Sequence, residues 1–83
     1  VYGFPSVVEA DIVIKDGKHI LIEIKSHVRK SDVVEIVRIG HLYEKVVGVK
    51  PDLIIVSPFI DNKARDLAKA LGVKLYTASE ISK

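Results

Sequence analysis

The chain has no cysteine, methionine, tryptophan or glutamine, and one asparagine, Asn62. The lack of cysteine excludes disulfides and thiolate metal sites, and nothing else in the sequence suggests secretion. Scarcity of thermolabile residues beside abundant Ile, Val, Lys and Glu points to a thermophilic source. Only five residues are aromatic (three Tyr, two Phe), so the aliphatics must build the core. No apolar run approaches the roughly 20 residues of a membrane span, and no signal-peptide pattern is present. A soluble, cytoplasmic protein is the default expectation. The net charge of +2 is too small to imply nucleic acid by itself. No Gly-rich phosphate loop and no Ser-His-Asp arrangement can be found.

What remains is 83 residues with 48% hydrophobic content, enough for one packed domain spanning 1–83 and no more. A chain that starts at Val1 and ends in "SEISK" also looks like part of a longer protein.

The pattern along the chain is regular. "VVEADIVI" (7–14) predicts a strand, "KDGK" a turn, and "HILIEIKS" (19–26) the returning strand. Ser31 is a candidate N-cap, with Asp32 placed to complement the dipole of a helix reaching Val47 and stopping at Gly48. That helix carries a wide apolar stripe (Val33, Ile36, Val37, Tyr43, Val47 and neighbours), so it should be well buried. "LIIVS" (53–57) suits a central parallel strand covered on both faces. Asp61 is placed to cap a second helix, whose Ala64, Leu67, Ala68 and Leu71 share one side, and Gly72 ends it. "VKLYT" (73–77) is a last strand, and "SEISK" could begin another helix. The expected fold is α/β: a mixed sheet flanked by helices, in the order β-hairpin, α, β, α, β.

The charges of the hairpin carry the functional question. Ala10, Ile12 and Ile14, with Val8 before them, are expected to share one buried face with Ile20, Ile22 and Ile24, given a three-residue loop around Gly17. The other face then gathers Glu9, Asp11, Glu23 and Lys25 at the end away from the turn. His19, beside the turn, would sit in solvent. Cross-strand neighbours on one face lie about 5–8 Å apart. Asp11 and Glu23 could thus hold one ion, and hard oxygen donors with open positions suit Mg²⁺ or Mn²⁺. The alternative is a solvated hairpin face with a Glu–Lys pair.

Asp11, a turn, then Glu23-Ile24-Lys25 resembles the signature of the PD-(D/E)xK nuclease superfamily: an acidic residue opening one strand, then (D/E)-x-K in the next. The likeness covers most of the chain, with a restriction endonuclease-like core, and is similar to archaeal members sharing the "EIKS…SDV…YEK…LIIVSPF" layout. The resemblance implies that Asp11 and Glu23 bind Mg²⁺ or Mn²⁺ together with the backbone carbonyl of Ile24. It implies that Lys25 orients and helps deprotonate the attacking water, and that the reaction is phosphodiester hydrolysis in nucleic acid, with DNA the first expectation. Many members supply a further acid from a helix before the first strand. No such helix can be read before Val1, and Glu9 is the candidate substitute. Arg29 and Lys30 follow the second strand and are candidates for phosphate contacts; a solvated basic loop explains them equally well. Arg38, His41 and Lys45 are better explained as a solvated helix face, and Tyr43 as core. A catalytically inactive module of the same fold, serving in nucleic-acid binding or dimerisation, is the alternative function. A plain α/β interaction domain with a coincidental motif is a third. A homodimer through the terminal strand Val73–Thr77, if that strand is an edge, is one candidate assembly.

Overall fold

The computed structural model describes residues 10–77. In chain order they form β1 (Asp11–Lys15), β2 (Lys18–Ile24), α1 (Lys30–Val47), β3 (Asp52–Val56), α2 (Asn62–Leu71) and β4 (Val73–Tyr76). This is the predicted α/β order. The strands make one mixed sheet in the order β1-β2-β3-β4, with β1 antiparallel to β2 and the two other pairings parallel. Residues 7–9 of the predicted first strand and the whole of "SEISK" lie outside the described residues.

Sheet order decides where the helices go. The crossovers β2–α1–β3 and β3–α2–β4 step in the same direction across the sheet. The right-handed rule for such crossovers therefore puts both helices on one face. The register agrees: Leu21 pairs with Leu53 and Glu23 with Ile55, while Leu53 pairs with Val73 and Ile55 with Leu75. These residues share a face, and Leu21, Glu23, Ile55 and Val73 on it are buried. Val33, Ile36 and Ile39 of α1 and Ala64 and Ala68 of α2 complete the core over them. At Gly40 α1 comes so close to β3 that a Cβ would stand 2.8 Å from Leu53 Cδ2. We expect Gly40→Leu to destabilise the domain by about 1–3 kcal/mol through overpacking. Urea unfolding checks this, and an unchanged midpoint would refute the close packing.

The hairpin differs from expectation. Lys15 pairs with Lys18, so the loop is the two residues Asp16 and Gly17, not three. Both have positive φ (52° and 79°), as a type I′ turn requires, and Asp-Gly is among the sequences that adopt it. The shorter loop changes the parity of the whole pairing. Asp11 now lies opposite Ile22, and Ile12 opposite Leu21. Ile12 thus shares its face with Leu21 and Glu23, while Ile20, Ile22 and Ile24 share theirs with Asp11 and Val13. The expected single face of Ala10, Ile12, Ile14, Ile20, Ile22 and Ile24 is not formed.

That second face carries no helix among the described residues. Ile54 and Val56 on it are half-buried while Ile55 is fully buried, so among the described residues β3 is covered by helices on one side only. The α1 stripe is likewise divided: Val33, Ile36, Ile39 and Tyr43 are buried, but Val34, Leu42, Val46 and Val47 are exposed. The N-cap of α1 is Arg29 rather than Ser31, and both helices end where predicted, at Gly48 and Gly72.

Candidate active site at the end of β2

β2 enters the sheet centre as an aliphatic strand and leaves it charged. Glu23, in register with Ile55, is 5% exposed. A carboxylate is costly to bury. Its presence on a face of Leu21, Ile55 and the helix core therefore marks it as a functional candidate. Two residues on, Lys25 faces the same side and is half-buried. Its N–H donates to the Val56 carbonyl at 2.9 Å, so the ladder holds the motif's backbone past the last strand residue. Ile24 between them points the other way and is 74% exposed. We expect Ile24→Thr to change stability by no more than about 0.5 kcal/mol, because only its backbone belongs to the motif. A large drop in the thermal midpoint would show that the side chain packs elsewhere.

The segment after β2 is fixed by main-chain bonds to the loop after β3. Val28 N–H donates to the Phe59 carbonyl at 2.9 Å, and Asp61 N–H donates to the Val28 carbonyl at 3.0 Å. Val28 itself is fully buried. His27 Nε2 meets Asp61 Oδ1 at 2.8 Å. Asp61 is the N-cap of α2 by position, as predicted, but makes no side-chain cap bond; its carboxylate goes to His27. Both partners are substantially exposed, so the pair is worth little in stability.

The first turn of α1 contributes a residue not foreseen as part of the site. Asp32 Oδ1 lies 3.3 Å from Lys25 Nζ, and its Oδ2 accepts the Arg29 N–H at 2.8 Å. The sequence signal is Asp32's place in the first helical turn, which by itself implies only a complement to the helix dipole. Contact with a lysine five residues before the helix is a tertiary fact.

Other predicted residues fall as follows. Asp11 is exposed and, by register, on the face opposite Glu23 and Lys25. The expected gathering of the three on one face is therefore not found, and the two-residue turn is the physical reason. Glu9 lies outside the described residues. Arg29 and Lys30 are exposed at the start of α1, at the same end of the sheet as Lys25. His19 is not in solvent: it is half-buried and shares a hydrogen bond with the hydroxyl of Tyr43, which is core as expected. Arg38 pairs with Glu35 on the helix surface. Its hydrogen bond and charge lower the Glu35 pKa, and the reciprocal bond raises that of Arg38. Arg38 is thus partly neutralised, which suits a solvated helix face.

A divalent ion of the Mg²⁺ type needs several converging oxygen donors. Glu23 is one hard donor on the site face. With Asp11 on the other face, the described residues do not assemble the expected set. No group of three or more His, Cys, Asp or Glu side chains placed to hold a metal occurs among them. The described residues therefore supply only part of a set for the ion, with Glu23 as the donor on the site face.

A buried Glu two residues before a lysine, on the second strand of a hairpin that leads into α-β-α-β, is a nuclease-type layout. The family model described as PD-(D/E)XK nuclease superfamily matches residues 6–74, most of the chain. The chain belongs to that superfamily, whose members are typically metal-dependent and act on nucleic acid. No curated protein and no solved structure matches it. No helix among the described residues is long and apolar enough to cross a membrane.

Proposed function

We propose that this domain hydrolyses phosphodiester bonds in nucleic acid, with DNA the first substrate to test and Mg²⁺ or Mn²⁺ required. One observation supports this most: Glu23 and Lys25 stand on the same helix-covered face at the end of β2, the first buried and the second held 3.3 Å from Asp32. An ammonium in that place can neutralise charge that builds on a phosphate as water adds to phosphorus and an ester P–O bond breaks. Arg29 and Lys30 supply exposed positive charge beside it for the flanking phosphates. A divalent ion is expected because the superfamily is typically metal-dependent, and Glu23 and the Ile24 carbonyl are the groups of the motif that would hold it. Asp11 joins them only if the hairpin takes the three-residue loop, so we assign no step to it.

A second reading is an inactive nuclease-fold module that binds nucleic acid or pairs with itself. Asp11's place on the opposite face favours it. Cleavage of end-labelled single-stranded, duplex and branched DNA with Mg²⁺ or Mn²⁺ separates the two. We expect cleavage by the wild type and none by Glu23→Gln. Binding without cleavage under every condition would instead support the inactive module.

A further inference from the structure

We propose that Asp32 is a positioning residue for Lys25, which makes the first turn of α1 a working part of the site; this role presupposes the phosphodiesterase reading. A lysine side chain carries about 2 kcal/mol of rotamer entropy, and its ammonium is a mobile point charge unless something fixes it. Here the anchor is one carboxylate used twice. Oδ2 is held by the main-chain N–H of Arg29 at 2.8 Å, so the aspartate itself is fixed by backbone. Oδ1 faces the Lys25 ammonium at 3.3 Å.

Asp32 could be no more than half of a capping box, since an acid at this helical position commonly caps its own helix. The cap uses only Oδ2, however. The second oxygen is spent on a residue from another element, in an ion pair whose side chains are 34% and 19% exposed. Two other ion pairs, Arg38–Glu35 and His27–Asp61, are more open, with every partner at least 40% exposed. The segment from Lys25 to Val33 is also anchored: Val28 and Val33 are both fully buried. The distance between lysine and helix start is thus set by the core, and Asp32 transmits that setting to the ammonium.

The test compares wild type, Asp32→Asn, Asp32→Glu, Lys25→Ala and the double variant Lys25→Ala/Asp32→Asn, in metal-supplemented cleavage of end-labelled DNA together with thermal unfolding. Asparagine keeps a side-chain oxygen to accept the Arg29 N–H but loses the charge. Asp32→Asn is expected to lower kcat by about tenfold to a hundredfold, the range for a misplaced reacting group, with KM unchanged and the unfolding midpoint lowered only slightly, as for one lost first-turn charge. Asp32→Glu recovers part of the loss. In the Lys25→Ala background the asparagine costs nothing further, because residues acting as a unit are not additive. Wild-type kcat in Asp32→Asn, or the same fractional loss with and without Lys25, overturns the role. If Lys25→Ala is inactive while Asp32→Asn is not impaired, only this proposal falls. If no variant and no wild-type sample cleaves, the phosphodiesterase reading falls and takes it along.

Discussion

Lys25→Ala is expected to lower cleavage by at least about a hundredfold, the usual scale for removing a charge-stabilising group from a reacting centre. It should do so without unfolding the domain. Lys25 is one-third exposed and its ion pair with Asp32 is only partly shielded, so the loss of stability should stay within about 1 kcal/mol. The helix keeps its start, because Asp32 Oδ2 still accepts the Arg29 N–H. The backbone of residue 25 still donates to Val56. A cleavage assay and a thermal melt on the same preparation test both halves. Activity close to wild type would remove the lysine from the chemistry. A collapse of the melt would mean that the lysine is structural and that its effect on rate says nothing about catalysis.

Ile55→Ala is expected to have the largest effect on stability, about 2–5 kcal/mol for truncating a fully buried isoleucine. Ile55 has no exposed surface and occupies β3 between β2 and β4, in register with both Glu23 and Leu75. Domains are typically stable by only about 5–15 kcal/mol, so this one change consumes a large part. It also opens a cavity beside Glu23, so the site should lose order before the sheet does. Urea unfolding monitored by circular dichroism gives the loss directly. A change below about 1 kcal/mol would show that the helices close over the space, and that the face is less tightly packed than the burial of Leu21 and Ile55 implies.

Most of the fold was legible because each element carried a local signal. The helices announced themselves by their apolar spacing and by Gly48 and Gly72 at their ends. β3 did so by an unbroken aliphatic run, and the hairpin by Asp16-Gly17 between two aliphatic stretches. What the sequence left open was parity. β1 has Ile12 and Ile14 on one side and Val13 on the other. β2 has three isoleucines facing one way, with Leu21 facing the other. Grouping the isoleucines of both strands on one face does not reproduce the pairing, because both helices cover the side of Leu21 instead. Leu21 is fully buried there, while Ile24 on the isoleucine side is 74% exposed. The turn residues permit both loop lengths, and a difference of one residue sends Asp11 to the other face. That Glu23 and Lys25 share a face does not depend on pairing, because they stand two residues apart along one extended segment. The face that Asp11 takes does depend on it. Asp32 could not be found from spacing at all, since its link to Lys25 exists only once α1 has crossed back over the sheet.

Everything proposed for the site requires Glu23 to be a ligand-binding carboxylate and not merely a tolerated buried charge. Calorimetric titration of Mn²⁺ into the wild-type chain and into Glu23→Gln tests it without any assumption about substrate. A saturable isotherm in the wild type that vanishes in Glu23→Gln, with both proteins folded, is the predicted result. An isotherm unchanged by the substitution, or no binding by the wild type, would contradict it.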